Sequence, residues 1–79
     1  MSLTRREFEV FAYLARNAGK VMLHRQVLQA VWGGNYGDEA DEVWTYVQRI
    51  RRKVEKDPAH PEAIRTVRGV GYMFVPPKD

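Results

Sequence analysis

Apolar residues recur along this chain with helical spacing three times and with strand alternation once. The first signal opens at Thr4-Arg5-Arg6-Glu7, a Thr-x-x-Glu string in which the hydroxyl can accept from the amide three residues on while the glutamate reaches back. Phe8, Phe11, Leu14 and Ala15 then form an apolar stripe, and Asn17-Ala18-Gly19 supplies a stop with a glycine suited to the left-handed C-terminal position. The spacing predicts a first helix over about 5–17. Val21 and Met22 are a short apolar pair, enough for a brief bridging strand. Val27, Leu28 and Val31 mark a second helix over about 24–32, stopped by Gly33. Leu23 stands where a capping hydroxyl or carboxylate would be expected.

Residues 33–40 begin Gly-Gly-Asn-Tyr-Gly-Asp and read as loop. The third and longest helix is expected over about 41–56, with Val43, Val47, Ile50 and Val54 as a narrow apolar seam and Asp57-Pro58 as its end. Ala63 to Val67 alternates with a strand period, Arg68-Gly69-Val70-Gly71 has the glycines of a tight connection, and Tyr72-Met73-Phe74-Val75 returns. This predicts a hairpin over about 63–75. The fold class is therefore mostly α with a C-terminal β-hairpin, an α+β domain of three helices occupying residues 1–79.

Composition narrows what such a domain does. The chain has 79 residues, 44% hydrophobic and 29% charged, as ordinary globular domains do, and a formal net charge of +3. With no cysteine there is no disulfide, thiol nucleophile or Cys-ligated zinc, and two histidines, His24 and His60, are poor material for a metal site. No metal or cofactor is expected. No apolar run approaches the roughly 18 residues that span a bilayer. There is no Gly-rich phosphate loop and no Ser/His/Asp spacing that suggests catalysis, so no enzymatic activity is expected.

The charge becomes informative once it is resolved along the chain. Residues 33–44 carry Asp38, Glu39, Asp41 and Glu42 with no base, for −4; residues 45–56 carry five bases against Glu55 alone, for +4. On a helical wheel the face opposite the seam collects Asp41, Thr45, Gln48, Arg52 and Lys56 with Arg49 beside them, while Arg51 and Lys53 fall on the two flanks. Arg, Thr and Gln can hydrogen-bond base edges, and Lys and Arg can meet phosphates. Acid at a helix start and base at its end is also ordinary dipole complementation, and a solvated charged face is the commonest fate of such residues. That explanation is weakest at Arg49, near mid-helix. Arg65 and Arg68 lie on or at the tip of a thin ribbon, where an arginine can enter a narrow minor groove or merely solubilise a turn.

Together these features resemble the C-terminal effector domain of OmpR/PhoB-type response regulators, a winged helix-turn-helix. The likeness runs from Leu3 to Val75. It is carried by Leu3-Thr4-Arg5-Arg6-Glu7-Phe8, Ala18-Gly19-Lys20-Val21 and Gln26-Val27-Leu28-Gln29-Ala30-Val31-Trp32-Gly33. It continues through Val47-Gln48-Arg49-Ile50-Arg51-Arg52-Lys53-Val54-Glu55 and Ile64-Arg65-Thr66-Val67-Arg68-Gly69-Val70-Gly71-Tyr72-Met73-Phe74. The resemblance implies double-stranded DNA as partner, in direct-repeat half-sites. The third helix would lie in the major groove, with Arg49, Gln48 and Thr45 reading bases and Arg68 of the wing at the minor groove. Tyr46, Arg51, Arg52, Lys53, Thr66 and Tyr72 would hold the DNA backbone, as would Trp32, for which core packing at the end of the second helix is an equal alternative. The loop with Asn35, Tyr36, Asp38 and Glu39 would contact RNA polymerase.

The chain also departs from the family pattern. Gln48 stands where arginine is frequent. Trp44 takes a position often acidic or small, and packing on the wing or on the second helix are both open to it. The small N-terminal sheet and the receiver domain of family members are not in this sequence, which is expected to be a piece of a longer cytoplasmic regulator, monomeric off DNA. A protein-interaction module using the acidic loop and Tyr36 is the second reading, and it is compatible with the first. RNA binding has charge in its favour, but no sheet of stacking aromatics.

Overall fold

The computed structural model describes residues 2–33 and 40–76, with the side chains of residues 40 and 41 outside that description. Helix α1 spans Arg5–Arg16 and starts as its capping box dictates. Glu7 N donates to Thr4 Oγ1 at 3.2 Å, and Thr4 N donates to Glu7 Oε1 at 2.9 Å. The helix ends at Asn17, whose side-chain amide donates to the Tyr13 carbonyl at 2.8 Å. Gly19 follows at φ +83°, and its amide donates to the Phe74 carbonyl at 2.9 Å. The buried stripe differs from the expected one: Glu7, Val10 and Leu14 face inward, while Phe8 is 58% exposed. Counting apolar residues rotated the predicted face, because the inward position one turn before Val10 and Phe11 is held by a buried charged residue, Glu7, paired with the half-exposed Lys53.

Val21–Leu23 forms β1, Ile64–Val67 β2 and Gly71–Phe74 β3, in an antiparallel sheet of order β1-β3-β2. The predicted hairpin is thus the two-stranded part of a three-stranded sheet. Val21 pairs with Met73 and Leu23 with Gly71, so the short apolar pair before the second helix is stabilised by a partner about 50 residues away. The closeness of β1 explains Gly71: a Cβ there would run into the Met22 carbonyl and lie 2.9 Å from Leu23 Cα. At the far end of the hairpin Val70 N donates to Val67 O at 2.9 Å. Gly69 sits at φ +73° in the third turn position, where a type II turn needs a positive φ.

Helix α2 spans His24–Trp32 and has no capping side chain at Leu23; Gln26 Oε1 instead accepts from Leu23 N at 2.8 Å. Helix α3 spans Ala40–Val54, two residues shorter at its C-terminal end than the spacing suggested. The last helical bond is Glu55 N to Arg51 O, 3.0 Å, and the Glu55 side chain then turns to the strand side. Val43, Val47 and Ile50 are fully buried against Val10 and Leu14 of α1, Val27 and Leu28 of α2, and Met22, Ile64 and Tyr72 of the sheet. The seam read on the third helix is the one that packs. Among the described residues no helix is long and apolar enough to cross a membrane.

Candidate nucleic-acid interface

The core seam of α3 leaves the opposite face to water. Arg49, Arg52 and Lys56 are exposed there, with Thr45 and Gln48 partly so. Arg49 is held in place from below. Its guanidinium lies 5.1 Å from the Tyr46 ring centroid, Tyr46 meets the Trp32 ring edge-on at 5.2 Å, and the Arg6 guanidinium covers Trp32 at 4.9 Å. Arg6 Nη1 also donates to the Val31 carbonyl at 2.6 Å, closing the stack onto α2. Two rings lie between two cations across all three helices, and each cation–ring contact contributes about 0.5–1 kcal/mol at an exposed site. Trp32 and Tyr46 are therefore half-buried supports for Arg49, and the packing reading of Trp32 is satisfied by this stack.

The two flanks of α3 have separate fates, which the wheel could not distinguish. Lys53 Nζ reaches Glu7 Oε1 on α1 at 2.7 Å. The Lys53 hydrogen bond, with that from the Thr4 amide, holds the buried Glu7 carboxyl below its ordinary value against the opposing effect of burial. On the other flank Arg51 is only 5% exposed. Its Nε and Nη2 donate to the Ile64 carbonyl at 3.1 and 2.8 Å, Nη2 donates to Thr66 Oγ1 at 2.7 Å, and the guanidinium sits 5.8 Å over the Tyr72 ring. Arg51 and Tyr72 thus correct the sequence reading. Both were expected on the DNA backbone, but Arg51 spends its donors on β2, and Tyr72, 1% exposed, is core. Burial raises the Tyr72 phenol while the Arg51 charge opposes it. Burial lowers the Arg51 guanidinium pKa, but that group stays charged at any ordinary pH.

Glu55 completes the link between helix and wing. Its carboxylate accepts from the amides of Glu62, Ala63 and Ile64 at 2.8–3.2 Å. Burial works to raise this carboxyl, but the amides of Ile64, Glu62 and Ala63 outweigh it and hold it below the ordinary value. Arg51 and Glu55 together orient the ribbon relative to α3, so that the exposed Arg65, Thr66 and Arg68 are carried on a braced element. Thr66 accepts from Arg51 and still presents an exposed residue. Sequence reasoning missed Glu7 and Glu55 as bracing groups; the capping box named Glu7 but only as a cap. The expected polymerase-contact residues Asn35, Tyr36, Asp38 and Glu39 lie outside the described residues. His24 tilts against Tyr72 at 4.9 Å and His60 pairs with Asp57 at 3.0 Å. Among the described residues no three metal-ligating side chains cluster.

What emerges is a surface of Thr45, Gln48, Arg49, Arg52 and Lys56 on one helix, with an arginine-tipped ribbon beside it and a scaffold that spends its own charges internally. Residues 1–74 match the family model described as "Transcriptional regulatory protein, C terminal". The chain is similar to the response regulator DrrB of Thermotoga maritima, an OmpR/PhoB homolog, at 40% identity and TM-score 0.85, covering 95% of this chain and 34% of that one. It is also similar to the Klebsiella pneumoniae RstA DNA-binding domain in complex with the RstA box, at 30% identity and TM-score 0.84, covering 94% and 73%. The Bacillus subtilis CssR DNA-binding domain matches at 27% identity and TM-score 0.81, covering 94% and 78%. This chain spans about a third of the length of DrrB.

Proposed function

This chain belongs to the family of C-terminal domains of transcriptional regulatory proteins, with the winged-helix fold of the OmpR/PhoB type, and on that footing we propose that it binds double-stranded DNA sequence-specifically as the output domain of a two-component response regulator. The observation that carries the reading is the exposed mid-helix Arg49, braced on Tyr46 and flanked by Thr45 and Gln48. In this reading α3 enters the major groove, with Arg49, Gln48 and Thr45 at base edges. Arg68 enters the minor groove, and Arg52, Lys56 and Thr66 meet phosphates. Lys53 meets phosphate only by sharing its ammonium with Glu7. The similar RstA domain forms a complex with its RstA box, which supports duplex DNA as the ligand of this chain. Tandem half-sites, a receiver domain preceding this one, RNA polymerase contact through residues 33–40, a monomeric state off DNA and a cytoplasmic location belong to the same proposal.

Selection of bound sites from random duplex DNA, followed by titration of the selected duplex, tests it. Arg49→Ala is expected to cost about 1–3 kcal/mol on the selected duplex and to relax one base position. Wild-type protein that binds no duplex at low salt would refute the function. An Arg49→Ala variant with unaltered affinity and selectivity would refute the assignment of the reading face. Selective retention of single-stranded RNA over duplex DNA would favour the other nucleic acid.

A further inference from the structure

Trp44 is the large residue of α3 that the packing does not use: 55% of its surface is exposed. Among the described residues no ring or guanidinium stacks on it. A single exposed aromatic is common and means little by itself. Its place on the helix is informative. At 100° per residue Trp44 falls within roughly 20° of both Arg51 and Glu55, two and three turns further on, so the three share one stripe. The structure shows what that stripe faces, because Glu55 bonds the amides of residues 62–64 and Arg51 bonds Ile64 and Thr66. As α3 is followed backward, the wing is therefore followed forward. Seven residues of helix from Arg51 to Trp44 cover about 10 Å, and a strand covers the same distance in about three residues. Carried on at that rise, the register of α3 against the wing extrapolates Trp44 to the level of Arg68 and the turn, bordering a notch between the first half of α3 and the tip of the wing.

On the reading that α3 occupies the major groove and Arg68 the minor groove, the sugar–phosphate strand dividing those grooves must pass through this notch. We propose that Trp44 is a DNA-backbone contact, its indole face packed on deoxyribose and its Nε1–H donated to a phosphate oxygen. The inference rests on the proposed duplex binding and adds a residue to it. An indole carries no charge, so it displaces no condensed cation, unlike the lysines and arginines around it. Nor does deoxyribose differ between base pairs. Trp44 is thus an uncharged, sequence-blind grip at the junction of two elements that read sequence and groove shape.

Fluorescence anisotropy of the 79-residue chain with two labelled duplexes, one selected from random DNA and one unrelated, measured over a salt series, tests this. Trp44→Ala is expected to weaken both duplexes by a similar factor, roughly tenfold for a ring face withdrawn from water. The slope of log affinity against log salt is expected to match wild type. Trp44→Phe keeps the ring face without the N–H donor and should fall between the two proteins. Arg52→Ala, the charged comparison, should reduce the slope by about one. If Trp44→Ala lowers the thermal midpoint, Trp44→Phe carries the test alone, its expected result being a smaller loss, equal on both duplexes. Affinity unchanged in both Trp44 variants, a loss confined to the selected duplex, or a changed salt slope would each overturn the contact. If Arg49→Ala loses selectivity while Trp44 variants are silent, only the Trp44 contact falls. If wild-type protein binds neither duplex at low salt, the proposed function falls and takes this contact with it.

Discussion

Replacing Arg51 by methionine separates a buried brace from a phosphate contact. The substitution keeps most of the unbranched stem and removes the guanidinium that donates to Ile64 O and Thr66 Oγ1. Hydrogen bonds from a charged donor contribute about 1.5–3 kcal/mol each, giving a gross loss of about 3–6 kcal/mol for the two acceptors. Part is regained, because a methionine need not be stripped of water as a guanidinium must. A net loss of about 2–3 kcal/mol follows. For a domain of this size each kcal/mol moves the thermal midpoint by about 4–8 °C, so the expected shift is a fall of roughly 10–20 °C. Circular dichroism during heating, without DNA, reads it directly. A midpoint within about 2 °C of wild type would refute the brace, since it would put the net loss below about 0.5 kcal/mol. A surface phosphate ligand would behave in the opposite way, leaving the midpoint in place and reducing the salt slope of DNA binding by about one.

Three further outcomes are expected. The Glu7 carboxyl is lowered by the Lys53 and Thr4 hydrogen bonds, so its contribution is complete above the ordinary value of 4.5 and is lost as pH falls from there through the lowered folded value. Glu7→Gln should therefore lower the midpoint at neutral pH, and the gap to wild type should close in acid; a gap constant with pH would refute the pairing. Gly71→Ala forces a Cβ into the Met22 carbonyl and should cost about 1–3 kcal/mol or more in urea denaturation, with an unchanged result showing that β1 does not pair there. Tyr46→Leu removes the ring beneath Arg49, and loss of one such contact should weaken binding to the selected duplex by roughly two- to fivefold. It should also broaden base preference at the position that Arg49→Ala relaxes; an unaltered preference would show that Arg49 orients itself.

Much of the architecture was legible because its causes are local. The capping box at Thr4, the Val43-Val47-Ile50-Val54 seam and the glycines of the wing turn act within one turn of helix or one tight bend, and each lies where its spacing indicated. The exposed face of α3 followed from the seam by elimination. Errors fell where an element's surroundings decide. Phe8 carries the apolar character of α1 and is exposed, whereas Glu7 is buried, because Lys53, 46 residues later, joins the local Thr4 amide in satisfying that carboxylate. Val21–Leu23 was readable only as a bridging strand too brief to stand alone, and the partner that makes it one, β3, is not local to it.

Three helices, a ribbon, and a basic third helix whose outward face mixes cations with hydrogen-bonding side chains were all written into the order of residues. These depend on periodicity, caps and turn chemistry, each acting within a few positions. Which cations are free to meet another molecule was settled later, by the packing of the elements. Arg51, Arg52 and Lys53 are consecutive in sequence, yet one braces the wing, one faces water and one pairs with α1. Helical geometry separates them by 100° steps, and what each then meets is set by elements folded back from elsewhere in the chain.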